Sequence, residues 1–304
     1  MSPHRRLGAI VALVAALGAW PAQADVPRLR RVLIVSIDGL RPDALLRART
    51  PVLRDLMDRG SFSMWAMTVP MAVTLPSHTS MLTGVPVETH KVDWNGDPPP
   101  GKDPYPKRPT LFEVAKAAGY STALAAGKSK FIALVKAGTL NLAYTPKAGS
   151  IATDGAVTDT AAAWIARRAP EVLFVHLAEV DGAGHDLGWG SGPQLQAIAT
   201  ADSCVGRLLE ALRRRGLLDS TLVIVSTDHG GAALTHGADD GRSRYIPWII
   251  VGPQVRRGFD LTLVPGLNIR TEDTFATACA VLGIQPREPV EGSAVTAAFD
   301  VAGH

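Results

Sequence analysis

Three aspartates lie just beyond apolar runs, and each travels with glycine. The segments are Ser36-Ile37-Asp38-Gly39, Glu179-Val180-Asp181-Gly182 and Ser226-Thr227-Asp228-His229-Gly230. One aspartate after a strand is ordinarily a turn or cap residue. Three at strand ends of one parallel sheet would converge on one edge, where glycine lets the backbone bend sharply. Histidines accompany two of them: His185 follows Asp181 by four residues, His229 directly follows Asp228, and His236 comes seven residues later. Carboxylate and neutral imidazole are ligands for zinc and its neighbours. Converging carboxylates without a cation would repel one another, so these six side chains point to a metal site.

A hydroxyl stands apart from them in Ala72-Val73-Thr74-Leu75-Pro76-Ser77-His78. Thr74 suits a helix cap with Pro76 in the first turn. A hydroxyl whose pKa a metal lowers could instead act as a nucleophile. The local sequence favours the cap.

The elements that must carry these residues read as alternating strand and helix. Strands are expected over Arg31–Ile37, Ser121–Ala126, Val172–Leu177, Leu222–Ser226 and Trp248–Val251. Helices are expected from Pro51 to Gly60 and over Thr110–Ala118, Ala156–Arg168, Pro193–Arg215 and Thr271–Leu282. Continuous apolar strands between helices predict one α/β domain, a mainly parallel sheet covered on both faces. Ligands of such sheets bind beyond the carboxyl ends of the strands. The Pro-rich stretch from Asp97 to Pro109 reads as an irregular loop placed to wall such a site.

Composition excludes other classes. With 46% hydrophobic residues in 304, the chain can bury a core and is not disordered. Residues 1–24 have a basic start, an apolar stretch from Leu7 to Trp20 and Ala22-Gln23-Ala24, which predicts an export signal and a mature domain over 25–304. The expected location is periplasmic or secreted, with no membrane span after cleavage. Removing the two arginines of that leader takes the formal charge from +3 to +1, which offers no basic face for nucleic acid. The Arg213-Arg214-Arg215 cluster suits the end of a helix. Export would allow Cys204 and Cys279 to pair, but each sits among small apolar residues, and two free core thiols are the reading taken.

Together, Ser36-Ile37-Asp38-Gly39, Thr74-Leu75-Pro76-Ser77-His78, Asp181-Gly-Ala-Gly-His185, Asp228-His229-Gly230 and Thr235-His236-Gly237 resemble the alkaline phosphatase superfamily in its order of motifs. The closest likeness is to the type I phosphodiesterase/nucleotide pyrophosphatase branch. The resemblance implies two divalent metal ions, zinc by preference. Asp181, His185 and His236 would hold one, and Asp38, Asp228, His229 and the Thr74 oxygen the other. It implies Thr74 as the nucleophile of a covalent phospho-enzyme and a small phosphorylated substrate. Asn95 falls where the family donates to a phosphoryl oxygen, though Asn95-Gly96 is also a common turn pair. Gly127-Lys128-Ser129-Lys130 fails as a phosphate loop, because Thr122 stands where that loop needs glycine. It is similar to a Gly-Lys-x-Lys of phosphonoacetate hydrolases, which makes Lys128 and Lys130 expected substrate-binding residues; an exposed helix start is the plain alternative.

The sequence departs from the larger nucleotide pyrophosphatases in one respect. Only Gly230 to Thr235 separate Asp228-His229 from His236, so the long insertion that builds a cap is missing and nucleotide specificity does not carry over. The expected activity is phosphodiester hydrolysis. A phosphomonoesterase, a phosphonate C–P hydrolase and a non-catalytic metal-dependent binding protein stand as alternatives. Threonine cannot become the formylglycine that a sulfatase needs. Trp94, Tyr105 and Trp189 could stack a leaving group or simply pack.

Overall fold

In a computed structural model, residues 26–98, 101, 103–237 and 239–300 are described; the expected signal over 1–24 lies outside them. Among these residues eight strands form one sheet: β1 (Arg31–Ile37), β2 (Ser61–Met67), β3 (Thr122–Ala126), β4 (Leu142–Tyr144), β5 (Val172–Leu177), β6 (Thr221–Ser226), β7 (Tyr245–Val251) and β8 (Phe259–Asp260). Their order is β4-β3-β5-β1-β6-β7-β2-β8. Among these strands β7 alone is reversed: it runs antiparallel to both β6 and β2. The expected mainly parallel sheet is therefore what forms.

Among the described residues ten helices surround it: α1 (Pro42–Arg47), α2 (Pro51–Arg59), α3 (Thr74–Thr83), α4 (Val87–His90), α5 (Leu111–Ala117), α6 (Asp154–Arg167), α7 (Glu179–Leu187), α8 (Gly192–Arg214), α9 (Gly241–Arg244) and α10 (Asp273–Leu282). Successive strand residues point to opposite faces, and both faces are apolar. Val32 and Ile34 pack with Phe174, Trp248 and residues of α3, α5 and α10. Leu33, Val35 and Ile37 pack with Val175, Val225 and residues of α2, α6 and α8. Cys279 belongs to the first layer and Cys204 to the second, so the sheet separates the two free thiols.

The register aligns the strand ends. Ile37 pairs with Leu177, and Ser36 with both His176 and Ser226. β1 lies between β5 and β6, so the segments after all three strands emerge side by side.

Some elements escape sequence reading. The edge strands β4 and β8 are only three and two residues long. Helix α7 contains Gly182 and Gly184, each costing about 1 kcal/mol relative to alanine in a helix. Tertiary contacts hold it instead. Buried Asp154, the first residue of α6, accepts the N–H groups of Ala178 (2.6 Å) and Glu179 (3.1 Å), while Glu179 Oε2 accepts the Asp154 N–H at 3.0 Å. Two helix starts thus cap each other. A one-way contact opens α2: Asp202 on α8 accepts from Val52 N and Leu53 N, and Thr50 makes no side-chain cap.

Two predictions follow from this packing. Denatured protein should titrate two thiols without added reductant, because Cys204 and Cys279 lie on opposite faces of the sheet. Burial, reinforced by Glu179, pushes the Asp154 carboxyl up to about 7. The folded state then binds a proton more tightly than the unfolded chain, so this group costs stability as pH rises from about 4 toward 7. Asp154→Asn keeps the acceptor without the charge. Its stability relative to wild type should improve across that window in urea titrations at pH 5 and pH 7.5. Asp154→Ala should lose about 1–3 kcal/mol at both, because two buried N–H groups lose their acceptor.

Candidate metal centre

The six expected ligands meet at the carboxyl ends of β5, β1 and β6. Asp38 directly follows β1, and its N–H still donates to Leu177 O at 2.9 Å, extending the ladder by one rung. Asp228 lies two residues past β6, and its Oδ1 accepts from Gly39 N at 3.3 Å. Asp181 sits in the first turn of α7 rather than at the strand end itself. Gly39 makes the approach possible: its φ is +74°, and a Cβ there would meet Asp181 Cα at 3.0 Å.

Each of the three expected histidine ligands donates Nδ1–H to a backbone carbonyl. His185 donates to Leu234 O (2.9 Å), His229 to Gly230 O (2.8 Å) and His236 to Ala72 O (2.9 Å). That leaves every Nε2 as a lone pair facing carboxylates. His229 Nε2 lies 3.1 Å from Asp228 Oδ2 and 3.4 Å from Asp38 Oδ1. His185 Nε2 and His236 Nε2 lie 3.4 and 3.6 Å from Asp181 Oδ1. Backbone anchoring of the distal nitrogen is how proteins fix the tautomer of a metal-ligating histidine.

Electrostatics agree. Burial holds the His229 imidazole down at about 4 and lowers His236, so both rings are neutral near pH 7, as ligation requires. Asp38 is opposed by burial, yet Lys128 and His176 hold its carboxyl well below the usual range. Burial, with Asp38 beside it, pushes Asp228 well above that range.

The donor set fits divalent cations. Asp38 Oδ1, Asp181 Oδ1, Asp228 Oδ2 and His229 Nε2 are all buried without a hydrogen-bond partner. All four are acceptors facing acceptors, an arrangement that costs several kcal/mol unless a cation or proton joins them. Ligand atoms of Asp181, His185 and His236 come within 4.8 Å of one another, and so do those of Asp38, Asp181 and His229. Asp181 thus borders both groups, where the resemblance assigns it to one.

Thr74 is the first residue of α3. Val73 occupies the cap position, and no side chain caps the helix there, so the local expectation of a Thr74 cap is not met. Its Oγ1 accepts from Lys128 Nζ at 3.3 Å. The two lysines part company: Lys128 Nζ also lies 2.6 Å from Asp38 Oδ2 and from Asp181 Oδ2, whereas Lys130 Nζ donates to Asn95 Oδ1 at 3.1 Å. Asn95 Oδ1 also accepts from Leu75 N at 3.0 Å, at the start of α3. Asp97, at the head of the Pro-rich loop, accepts from Ser129 Oγ and Gly149 N and ties that loop to the Lys128 segment.

Two histidines missed by sequence reading support the ligands. His176 on β5 donates Nε2–H to Asp38 Oδ2 at 2.8 Å. His78 on α3 donates Nδ1–H to Thr74 O and accepts from Ser36 Oγ, each at 2.7 Å. The signal for His176 was present: it is the one polar residue of Val172–Leu177, and an unpaired imidazole is costly inside a sheet. Trp189 packs rather than stacks on a ligand. Its Nε1 donates to Gly39 O at 3.0 Å, and its ring lies where a Cβ on Gly231 would fall, 2.3 Å away. Trp94 packs on Leu75, Val92 and Ala133.

Comparison with known proteins gives a consistent answer. The family described as type I phosphodiesterase/nucleotide pyrophosphatase matches residues 32–243. An uncharacterised pyrophosphatase/phosphodiesterase of Schizosaccharomyces pombe is 27% identical over 221 residues, 66% of this chain and 44% of that protein. Ectonucleotide pyrophosphatase/phosphodiesterase family member 7 of Mus musculus is 25% identical over 254 residues, 76% of this chain and 57% of that protein. The chain spans about half the length of the curated relatives it matches. Among solved structures, murine ectonucleotide pyrophosphatase/phosphodiesterase 5 in complex with AMP superposes with a TM-score of 0.75 at 16% identity, over 89% of this chain and 100% of that one. A phosphonate monoester hydrolase of Agrobacterium radiobacter gives 0.68 at 16% identity, over 90% and 78%. These two likenesses show the fold. The family match runs from β1 through α9 and contains Asp38, Thr74, Asp181, His185, Asp228, His229 and His236 in order: the chain belongs to the type I phosphodiesterase/nucleotide pyrophosphatase family.

Proposed function

We propose that this chain hydrolyses phosphate diesters at a two-metal centre, with Thr74 as nucleophile. The observation that carries the reading is the set of four buried, unpartnered acceptor atoms from Asp38, Asp181, Asp228 and His229, with the Thr74 hydroxyl beside them. Asp181, His185 and His236 would hold one ion, and Asp38, Asp228 and His229 the other, with Thr74 Oγ1 adjacent. Divalent cations there, zinc by ligand type, would lower the pKa of the Thr74 hydroxyl and draw charge from the phosphoryl oxygens.

Thr74 Oγ1 would then attack phosphorus. The Oγ–P bond forms, the bond from phosphorus to the leaving oxygen breaks, and the departing alcohol takes up a proton. Water next attacks the phosphothreonine: its oxygen bonds to phosphorus, the Oγ–P bond breaks, and a proton from the water returns to Thr74 Oγ1. Asn95 would position the substrate. Its Oδ1 is occupied by Leu75 N and Lys130 Nζ, which frees Nδ2 to donate to a phosphoryl oxygen. Lys130 would add positive charge at the same wall. One relative, from Mus musculus, carries the name bis(5'-adenosyl)-triphosphatase. For this chain, with only Gly230–Thr235 between His229 and His236, we propose a small phosphodiester without a nucleotide requirement. The leader over residues 1–24 fits export. No helix among the described residues is long and apolar enough to cross a membrane.

Hydrolysis of bis-p-nitrophenyl phosphate should exceed that of p-nitrophenyl phosphate and phosphonoacetate, and should vanish on exhaustive chelation and return with zinc. Activity that survives chelation would refute the metal reading; preference for either other substrate would reassign the class. Thr74→Ala should lower turnover by several orders of magnitude. Thr74→Ser should keep part of it. Thr74→Asn should fold and hold metal yet be inactive; a nearly active Asn variant would exclude Thr74 as nucleophile.

A further inference from the structure

Lys128 sits where the two ligand groups meet. An ammonium carries three N–H donors and no acceptor. Here the three face Asp38 Oδ2 and Asp181 Oδ2, both at 2.6 Å, and Thr74 Oγ1 at 3.3 Å. The residue is 7% exposed. Its neighbours are held on both sides: Ala152 N donates to Gly127 O at 2.8 Å, and the Ser129 hydroxyl donates to Asp97 Oδ1 at 2.7 Å. A substrate oxygen could reach this ammonium only by displacing an oxygen of the protein. Lys130, half-buried and facing Asn95, has no such constraint.

The carboxylate oxygens are divided. Asp38 and Asp181 each give Oδ2 to Lys128, and each keeps Oδ1 without a hydrogen bond. The free Oδ1 atoms are the ones that face imidazole Nε2 groups. One oxygen of each aspartate is therefore committed to a cation the chain itself supplies, and the other remains for a cation from outside.

We propose that Lys128 is the resident counter-cation of this cluster, holding Asp38 and Asp181 together in the metal-free protein and opposing metal uptake by its charge. The proposal rests on the reading of these residues as a metal centre. Its consequence has a definite sign. Without Lys128, the metal-free protein keeps three buried carboxylates and no ammonium among them, which destabilises it. With metal bound, the same change removes a repulsion between like charges. The metal-free state is penalised more than the loaded one, so affinity for metal must rise.

The test compares wild type, Lys128→Met and Lys128→Arg by zinc titration against a chromogenic chelator and by thermal melting with chelator or saturating zinc. Lys128→Met should bind zinc about tenfold more tightly, equivalent to about 1.4 kcal/mol. It should melt several degrees below wild type with chelator and close to wild type with zinc. Lys128→Arg, which keeps the charge, should recover most of the metal-free stability. A Met variant that folds only when zinc is present is the same result in extreme form. Equal or weaker zinc affinity in Lys128→Met overturns the proposal, as does an equal melting deficit in both conditions or failure to fold even with zinc, since a purely structural lysine would behave that way. Wild-type protein that takes up no zinc would overturn the metal reading itself, a result distinguishable from equal affinities in the two proteins.

Discussion

Three buried carboxylates at the end of one sheet form the constraint on which the rest of this structure depends. Asp38 and Asp228 are fully buried and Asp181 nearly so. Carboxylates this close cannot all remain charged in a low dielectric unless cations lie among them. The surroundings answer that demand in layers. Lys128 and His176 hold Oδ2 of Asp38. Three further imidazoles, each anchored through Nδ1 to the backbone, turn their lone pairs toward the remaining oxygens. What is left unpaired is a set of acceptor atoms that a cation or a proton could join.

The scaffold delivers that convergence through topology. With β1 between β5 and β6, and all three parallel, one sheet edge receives the ends of three adjacent strands. The supporting side chains rise from rigid elements: His176 from β5, His78 from α3, Lys128 from the pinned segment after β3. Preorganisation of this kind steadies ligands such as Asp38 that themselves lie just beyond a strand. Helix α7 is the exception, since its glycines give it little intrinsic stability. Asp154 and Glu179 compensate by capping α6 and α7 reciprocally. The Trp189 ring packs against both Gly184 of α7 and Gly231.

The fold alone would not choose a reaction. Phosphodiesterase relatives, a phosphonate monoester hydrolase and a sulfatase acting on glycosaminoglycans (TM-score 0.71) all superpose on this chain. Chemistry resides in the side chains grafted on such a scaffold. In the proposed reading those include a threonine hydroxyl at the start of α3, an asparagine amide held by Leu75 N, and two lysines flanking Ser129 with different partners. The short Gly230–Thr235 connection leaves the site without the insertion expected of larger nucleotide pyrophosphatases.

Much of this was legible in the chain alone, because the signals are local. β1 and β5 form over the expected spans Arg31–Ile37 and Val172–Leu177, and the Thr110 cap opens α5 through its box with Glu113. The order of Asp, Thr and His motifs pointed to one sheet edge and to the family. Other features were decided only by long-range packing. The short strands β4 and β8 have no pattern of their own; they exist because a neighbouring edge offers hydrogen bonds. Local rules made Thr74 a cap, but its side chain turns to Lys128, since Val73 occupies the cap position and a buried ammonium needs an acceptor. Lys128 and Lys130 are equivalent on paper. Only the fold, by pinning Gly127 and Ser129 on either side of Lys128, sends one ammonium among the carboxylates and the other to Asn95, because the direction of a side chain is set by its backbone and by the charges already buried around it.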